Sequence, residues 1–424
     1  MEKILIVGGG VAGLALANRL SSTLGRQGQA QITLIDHSPM HVWKPMLHEF
    51  AAGTAEPSDK GIAFPVQARR KAFRFVPGTL TKIDAMSRTI EIALPGHPNQ
   101  KAAQGAFEFD RLVLSIGSRA NDFGTPGARQ HCRLVDDLKS AMELNEVLRA
   151  EIVQRLATTE KIRIAIVGAG ATGVQLAAEV RKLVAIGSTY GFDRLEEQLE
   201  VTLIDGNARV LKAFDEVSAE RVSDQLRALG IRIECNRRVA EVDEAGFVFQ
   251  DGSRIEAGLK VWAAGVAAPP ALTTLTSAEF TGSGQLVVDQ QLRVKGTKRV
   301  FAMGDCCSLT PEGQEHPLPA SGQVAAQQAG FLAEALEADI RGDPLPEFQY
   351  EERGGIVSLG AYGGYGALPR KGFVPEILIS GRWARMIHPL LFRAHMFEIL
   401  GIWLGSVAWL RDKLTSLISP GVRF

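Results

Sequence analysis

The sequence predicts an α/β protein with two doubly wound, parallel-sheet domains, one inserted in the other, followed by a C-terminal region of different character. Three observations carry that expectation. KILIVGGGVAGLALANRL from Lys3 and IRIAIVGAGATGVQLAAEVRKL from Ile162 are an internal echo: a β-branched and Leu-rich strand, a glycine turn and an Ala/Leu-rich helix. Each echo leads to a second strand that ends in an acid, QITLID at Asp36 and LEVTLID at Asp205. The 47 basic and 47 acidic residues cancel, yet Arg353 to Phe424 holds nine Lys/Arg against three Asp/Glu, so a +6 tail follows a −6 body.

Length and composition agree with this. At 424 residues the chain is several times the size of one ordinary domain, which excludes a disulfide-stapled miniprotein. With 46% hydrophobic and 22% charged residues it fits neither a disordered chain nor a polytopic membrane protein. The cancelling charge predicts no nucleic-acid partner. Cys132, Cys235, Cys306 and Cys307 form no C-x-x-C pair and no metal-site array, so a reducing compartment is expected and no metal site. KILIVGGG at residue 3 leaves no room for a charged n-region, so no signal peptide is expected.

In chain order, residues 1–120 are expected to form the first part of a dinucleotide-binding domain, closing with the buried strand FDRLVLSIGS. Residues 121–160 are a linker helix region, with Leu134, Leu138, Met142, Leu144 and Leu148 at helical spacing. Residues 161–285 form the second dinucleotide domain: the echo, a helix around Val217 to Ala228, the strand IRIEC, a β-meander and the strand LKVWAAG ending at Gly265. Residues 286–345 return to the first domain and include a helix from Gln323 to Ala338. Residues 346–424 are the C-terminal region.

Gly8, Gly10 and Gly13 form a G-x-G-x-x-G after a strand and before a helix. The first glycine allows the tight turn, the second lets backbone approach a pyrophosphate, and the third lets helix and strand pack closely. Asp36, 23 residues after Gly13, is placed to accept from a ribose hydroxyl. Gly168, Gly170 and Gly173 with Asp205, 32 residues on, repeat the pattern, so two dinucleotides are expected. A carboxylate where a 2′-phosphate would sit repels it, so Asp205 favours NADH over NADPH; Arg209 is the neighbour that could offset this.

FAMGD at Phe301 to Asp305 resembles the second flavin fingerprint of two-dinucleotide flavoproteins, and LVLSIGS at Leu112 to Ser118 resembles their chain-crossover motif. With GSRANDFGTPGA, TGVQLAAEV, WAAGVAAPP, GDCC, SGQVAAQQAG and GGIVSLGAYGGYG, the chain resembles type II NADH:quinone oxidoreductase, from about residue 3 to the C-terminal helix. The resemblance implies two Rossmann-like domains, the NADH domain inserted in the FAD domain. It implies FAD and NADH as cofactors, with Gly117, Gly265, Gly304 and Asp305 joining the cofactor-binding set and Asp305 holding the ribityl chain. It implies hydride transfer from NADH to FAD and two electrons onward to a membrane quinone, without proton pumping. Glu179 would lie near the nicotinamide, and Gln323 and Gln327, four residues apart, would offer adjacent amides to a quinone carbonyl. The chain departs from the family in having Gln175 where Glu is common, and in using Asp36 and Asp205 where Glu is commoner. Cys306-Cys307 reads as packing, because a vicinal pair makes a strained disulfide. The same fold also serves soluble NAD(P)H:ferredoxin-type and sulfide-linked reductases. A catalytically slow FAD/NAD-binding signalling or structural protein, or a nucleotide module without flavin, are the other readings.

From Ile399 to Leu410 the tail has twelve uncharged residues, and a spanning helix needs about twenty. Trp403 and Trp409 among Arg385, Arg393, Arg411 and Lys413 instead predict an amphipathic helix lying on an anionic membrane surface. The chain is therefore expected to be a peripheral membrane protein on the cytoplasmic face of a bacterial inner membrane. A homodimer built through the same helix, or an ordinary lid over the core, is the competing use of it.

Overall fold

A computed structural model describes residues 1–96, 103–156, 160–189, 194–368 and 377–418. They form two compact units. The first comprises Met1–Trp43, Gly61–Arg119 and Val266–Glu351, and the second Lys44–Lys60, Ala120–Gly265 and Glu352–Phe424. The chain thus crosses between units within the first stretch expected from sequence, where Lys44–Lys60 joins the second unit.

The first unit is centred on a five-stranded parallel sheet in the order Val300–Ala302, Arg111–Leu114, Glu2–Val7, Ala30–Asp36, Arg74–Pro77. Ile4, Leu5, Ile6 and Val7 are all buried, because helices cover the sheet and a strand covered on both faces has no polar side to show. Each such side chain stabilises the fold by about 1.5–3 kcal/mol. The helix Gly322–Arg341 packs on Val11–Leu20, so the returning segment completes the same core. Arg111 enters this core only because Glu2 Oε2 at 2.5 Å and Asp339 Oδ2 at 2.6 Å accept its N–H groups. An antiparallel meander of Thr79–Asp84, Thr89–Ala93 and Gln104–Glu108 belongs to this unit and has no counterpart among the expected elements.

The second unit repeats the plan in the order Arg133–Leu134, Leu259–Trp262, Ile162–Val167, Leu199–Ile204, Ile231–Glu234, all parallel. The expected linker helix is Leu138–Leu156, and the short helix Leu47–Ala52 packs against it and against Ala171–Thr189. The C-terminal part adds an antiparallel sheet of Gly355–Ser358, Gly364–Leu368 and Ile377–Ser380.

Two helices follow, Gly381–Leu400 and Ile402–Ile418, where a single amphipathic helix was expected. Gly401 separates them with φ +81°, a left-handed conformation that a side chain would strain. A Cβ on Gly405 would run into the Phe397 ring, so that glycine lets the second helix lie tightly on the first. Asp412 fixes the pair: its carboxylate takes Lys60 at 2.8 Å and Arg393 at 2.6 Å and is almost fully buried. No helix among the described residues is long and apolar enough to cross a membrane.

Candidate functional site

Both glycine turns lie at the carboxyl ends of parallel strands, where open α/β sheets bind ligands. In the first, Gly8 has φ +101°, and a Cβ there would collide with the Ser115 carbonyl; a Cβ on Gly13 would collide with the carbonyl of Gly8. Gly10 is different: its Cβ would meet nothing within 4 Å. The turn therefore presents bare backbone to open space at the start of the Val11–Leu20 helix. The second turn repeats this, with Gly168 and Gly173 crowded against backbone and Gly170 open. Each is a cradle that a side chain would fill and a pyrophosphate fits.

The strand-end acids do the same job twice. Asp36 Oδ2 accepts from Gly9 N at 2.6 Å and Oδ1 from Ser38 N at 2.7 Å. Asp205 Oδ2 accepts from Ala169 N at 2.6 Å and Oδ1 from Asn207 N at 2.7 Å. A carboxylate has room for about four donors, so each acid ties its turn in place with acceptor capacity left over. Arg209 donates to the carbonyls of Leu211 at 3.2 Å, Lys212 at 3.3 Å and Phe214 at 2.9 Å, so its guanidinium is engaged in its own loop.

Within the first unit, Gly117 (φ +68°) and Gly304 (φ +73°) bring backbone to the same strand ends as the first turn, with open space at Gly117. Ser118 Oγ donates to Asp305 Oδ2 at 2.9 Å. Gln328 Oε1 accepts from Gly304 N at 2.7 Å, and Gln285 Nε2 donates to the Asp305 carbonyl at 3.0 Å. Sequence reasoning missed all three of these supporting residues. Gln328 had a usable signal, since it lies within SGQVAAQQAG; Gln285 had none, being joined to Asp305 only by the fold.

The Gly322–Arg341 helix starts at Ser321, whose Oγ accepts from Val324 N at 3.3 Å, so its positive end lies beside Gln323. Gln323 and Gln327 share a face. Both ends of the Gln327 amide hold the backbone of Glu351, Nε2 to O at 2.9 Å and Oε1 from N at 3.0 Å. Gln327 thus fixes where the chain leaves this unit.

In the second unit, Glu179 is 2% exposed. Its Oε2 accepts from Thr54 Oγ1 at 2.5 Å and from Lys182 Nζ at 2.9 Å. The backbone of Gly360 (φ +58°) is so close that a Cβ there would collide with Oε1. Gln175 lies one turn earlier on the same helix and is also buried. Beside them stand His48, Glu49 and His388. Burial, then the charge of Glu179, pushes the Glu49 carboxyl up to about 7. Burial, then His388, pushes His48 down to about 3, and burial also lowers His388. Gly265 (φ +69°) accepts from Asn121 N at 3.2 Å, and its Cβ would collide with Phe123.

All four cysteines are free thiols. Burial pushes Cys132 and Cys306 up to about 12 and Cys307 well above its usual value. Cys306 Sγ contacts the carbonyls of Leu114 and Met303 at 3.4 and 3.3 Å, as a packed thiol does.

Residues 2–329 match the family described as pyridine nucleotide-disulphide oxidoreductase. A type II NADH:quinone oxidoreductase of Haemophilus influenzae is 31% identical, over the whole of both chains. One from Staphylococcus aureus is 30% identical over 95% of this chain and 97% of its own. Among solved structures, NDH2 from Plasmodium falciparum in complex with NADH superposes with a TM-score of 0.85 at 17% identity, covering all of both chains. The sulfide:quinone oxidoreductase of Aquifex aeolicus gives 0.74 at 18% identity, covering 99% of this chain and 95% of that one. The two structures share the fold, and the full-length sequence relatives settle the family. The chain belongs to the type II NADH:quinone oxidoreductases.

Proposed function

We propose that this chain oxidises NADH through bound FAD and reduces a membrane quinone without moving protons across the bilayer. The observation that carries it is the doubled glycine cradle in a chain whose cysteines are all free and, where a shift is resolved, held protonated. With two dinucleotides bound and no thiolate pair to receive electrons, the acceptor must be a separate molecule.

FAD, when bound, would supply the two-electron chemistry between NADH and a quinone. The residues of the chain bind, orient and polarise. Backbone at Gly8, Gly10 and Gly13 receives one pyrophosphate on a helix N-terminus, and Gly168, Gly170 and Gly173 receive the other. Asp36 and Asp205 accept from ribose hydroxyls, and Asp205 repels a 2′-phosphate that the engaged Arg209 does not neutralise. Asp305, steadied by Ser118, accepts from the ribityl chain, and backbone at Gly117, Gly265 and Gly304 lets the cofactors approach. Glu179 accepts from the nicotinamide end of NADH, with Lys182 offsetting its charge. Gln323 donates to a quinone carbonyl, and Gln327, its neighbour on that face, holds the backbone of Glu351.

The Ile402–Ile418 helix is the membrane contact. Trp403, Val407, Leu410 and Leu414 recur at helical spacing on its exposed side, with Ile402 82% and Trp403 79% exposed, while Gly405 and Asp412 face inward. With the net +6 of the tail this favours an anionic surface, as on the cytoplasmic face of a bacterial inner membrane.

The purified protein should carry flavin absorbance, and NADH loss should accelerate on adding a short-chain quinone. NADH oxidation that quinone does not accelerate sinks the proposal. Quinone reduction driven by sulfide in place of NADH instead supports the sulfide-linked reading.

A further inference from the structure

The Leu47–Ala52 helix carries His48 and Glu49, and the Gly381–Leu400 helix brings His388 to them within the second unit. One donor atom from each lies within 4.8 Å of the other two. His388 Nδ1 is 3.7 Å from Glu49 Oε1, and the two imidazole centroids are 5.9 Å apart with planes inclined at 56°. His48 is 3% and His388 7% exposed. Nothing in the two cradles uses this group. His48 and His388 are buried and the Glu49 side chain is 18% exposed, so the three converge in a largely enclosed space.

Two imidazoles and a carboxylate form a donor set that suits zinc-class ions, with a fourth position left for water. Tetrahedral bonds of about 2.0–2.1 Å put neighbouring donors about 3.3 Å apart, so closing this group takes about an ångström of side-chain rotation. The carbonyl of Pro45 interacts with both rings, the outer-shell acceptor that orients ligating imidazoles. The other charges facing the group are Glu179 and Lys182, paired at 2.9 Å, and Lys60, paired with Asp412 at 2.8 Å.

We propose that His48, Glu49 and His388 bind one divalent cation of the zinc class, tying the Leu47–Ala52 helix to the Gly381–Leu400 helix. That first helix leads through Gly53 to Thr54, which donates to Glu179. Occupancy therefore restrains Thr54 and changes turnover with NADH. This consequence rests on the proposed role of Glu179, whereas the binding does not.

The test titrates zinc chloride into flavin-loaded, chelator-treated protein against a chromophoric chelator. One ion per chain is expected. His48→Gln and His388→Gln should each weaken binding about 100-fold, with flavin content unchanged as the check on folding. Because a variant could fail to fold, X-ray absorption at the zinc edge of the unmodified protein is the second measurement. Two imidazoles and no sulfur in the first shell support the site. A sulfur-containing shell, fewer than two imidazoles, or affinity unchanged in both variants overturns it. If zinc binds with the expected ligands yet leaves NADH turnover unchanged, the link to Glu179 falls and the site stands.

Discussion

Thr54 Oγ1 donates to Glu179 Oε2 at 2.5 Å, joining a residue just past the Leu47–Ala52 helix to one on the Ala171–Thr189 helix, 125 positions away. A hydrogen bond to a charged acceptor contributes about 1.5–3 kcal/mol. Thr54→Val should therefore lower kcat/KM for NADH by roughly 10- to 100-fold, and Glu179→Gln by at least as much. Anaerobic stopped-flow measurement of flavin reduction reads this directly. A normal reduction rate in both variants removes Glu179 from the NADH site.

Asp205 should set nucleotide choice alone, because Arg209 is engaged with three carbonyls of its own loop. Asp205→Ser should narrow the preference for NADH over NADPH by about tenfold, the scale of one removed like-charge contact. Arg209→Ala should leave the preference where it is. Steady-state kcat/KM for both nucleotides decides it.

Gly10 and Gly13 should fail in different ways. Gly10→Val places its side chain in open space, so the chain should fold, keep its circular dichroism and purify colourless. Gly13→Ala drives a methyl group into the Gly8 carbonyl and should cost several kcal/mol of stability. Flavin retained by the Gly10 variant would show that the cradle holds something else.

Trp403 and Trp409 are exposed on the last described helix, at 79% and 48%. Replacing both with Ser should weaken sedimentation with anionic liposomes by at least tenfold, since each exchange removes roughly 1.5–3 kcal/mol of apolar burial. Flavin reduction by NADH should be unaffected. Undiminished liposome binding would assign the helix to another partner.

His395 lies inside the fold, and burial pushes it down to about 4. Above pH 6.5 the imidazole is neutral folded or unfolded, and nothing is lost. Below it the unfolded chain takes up a proton that the folded chain refuses, so stability falls until the pH reaches about 4. The loss is roughly 3 kcal/mol at the acid end, and His48, held near 3, adds to it with the same sign. His395→Leu should flatten the fall in denaturant midpoint between pH 6.5 and 4.5, and an unchanged slope contradicts the assignment.

The twin strand–turn–helix units were legible because a parallel strand covered on both faces must be a continuous apolar run, and a pyrophosphate turn must have glycine at set spacing. Asp36 and Asp205 were legible for the same reason, each standing at the end of the strand that follows the helix opened by its turn. Gln285 was not, since its hydrogen bond to the Asp305 carbonyl carries no periodicity and lies in no motif, whereas Ser118 and Gln328 stand within quoted motifs that do not show what they hold. The break at Gly401 was missed because a helical apolar pattern continues through it; only the left-handed backbone at that residue separates the two helices.

The sequence by itself determined two dinucleotide cradles, the acids that serve them and a basic, tryptophan-bearing tail, because each is written in contiguous residues whose chemistry acts locally. The tertiary structure alone decided what surrounds Glu179. His48 and Glu49, Thr54, Gly360 and His388 come from stretches of the chain distant from Glu179 and have no fixed spacing to it. Their shared pocket exists because the Leu47–Ala52 helix buries its apolar side against the second sheet's helices, carrying polar neighbours in with it.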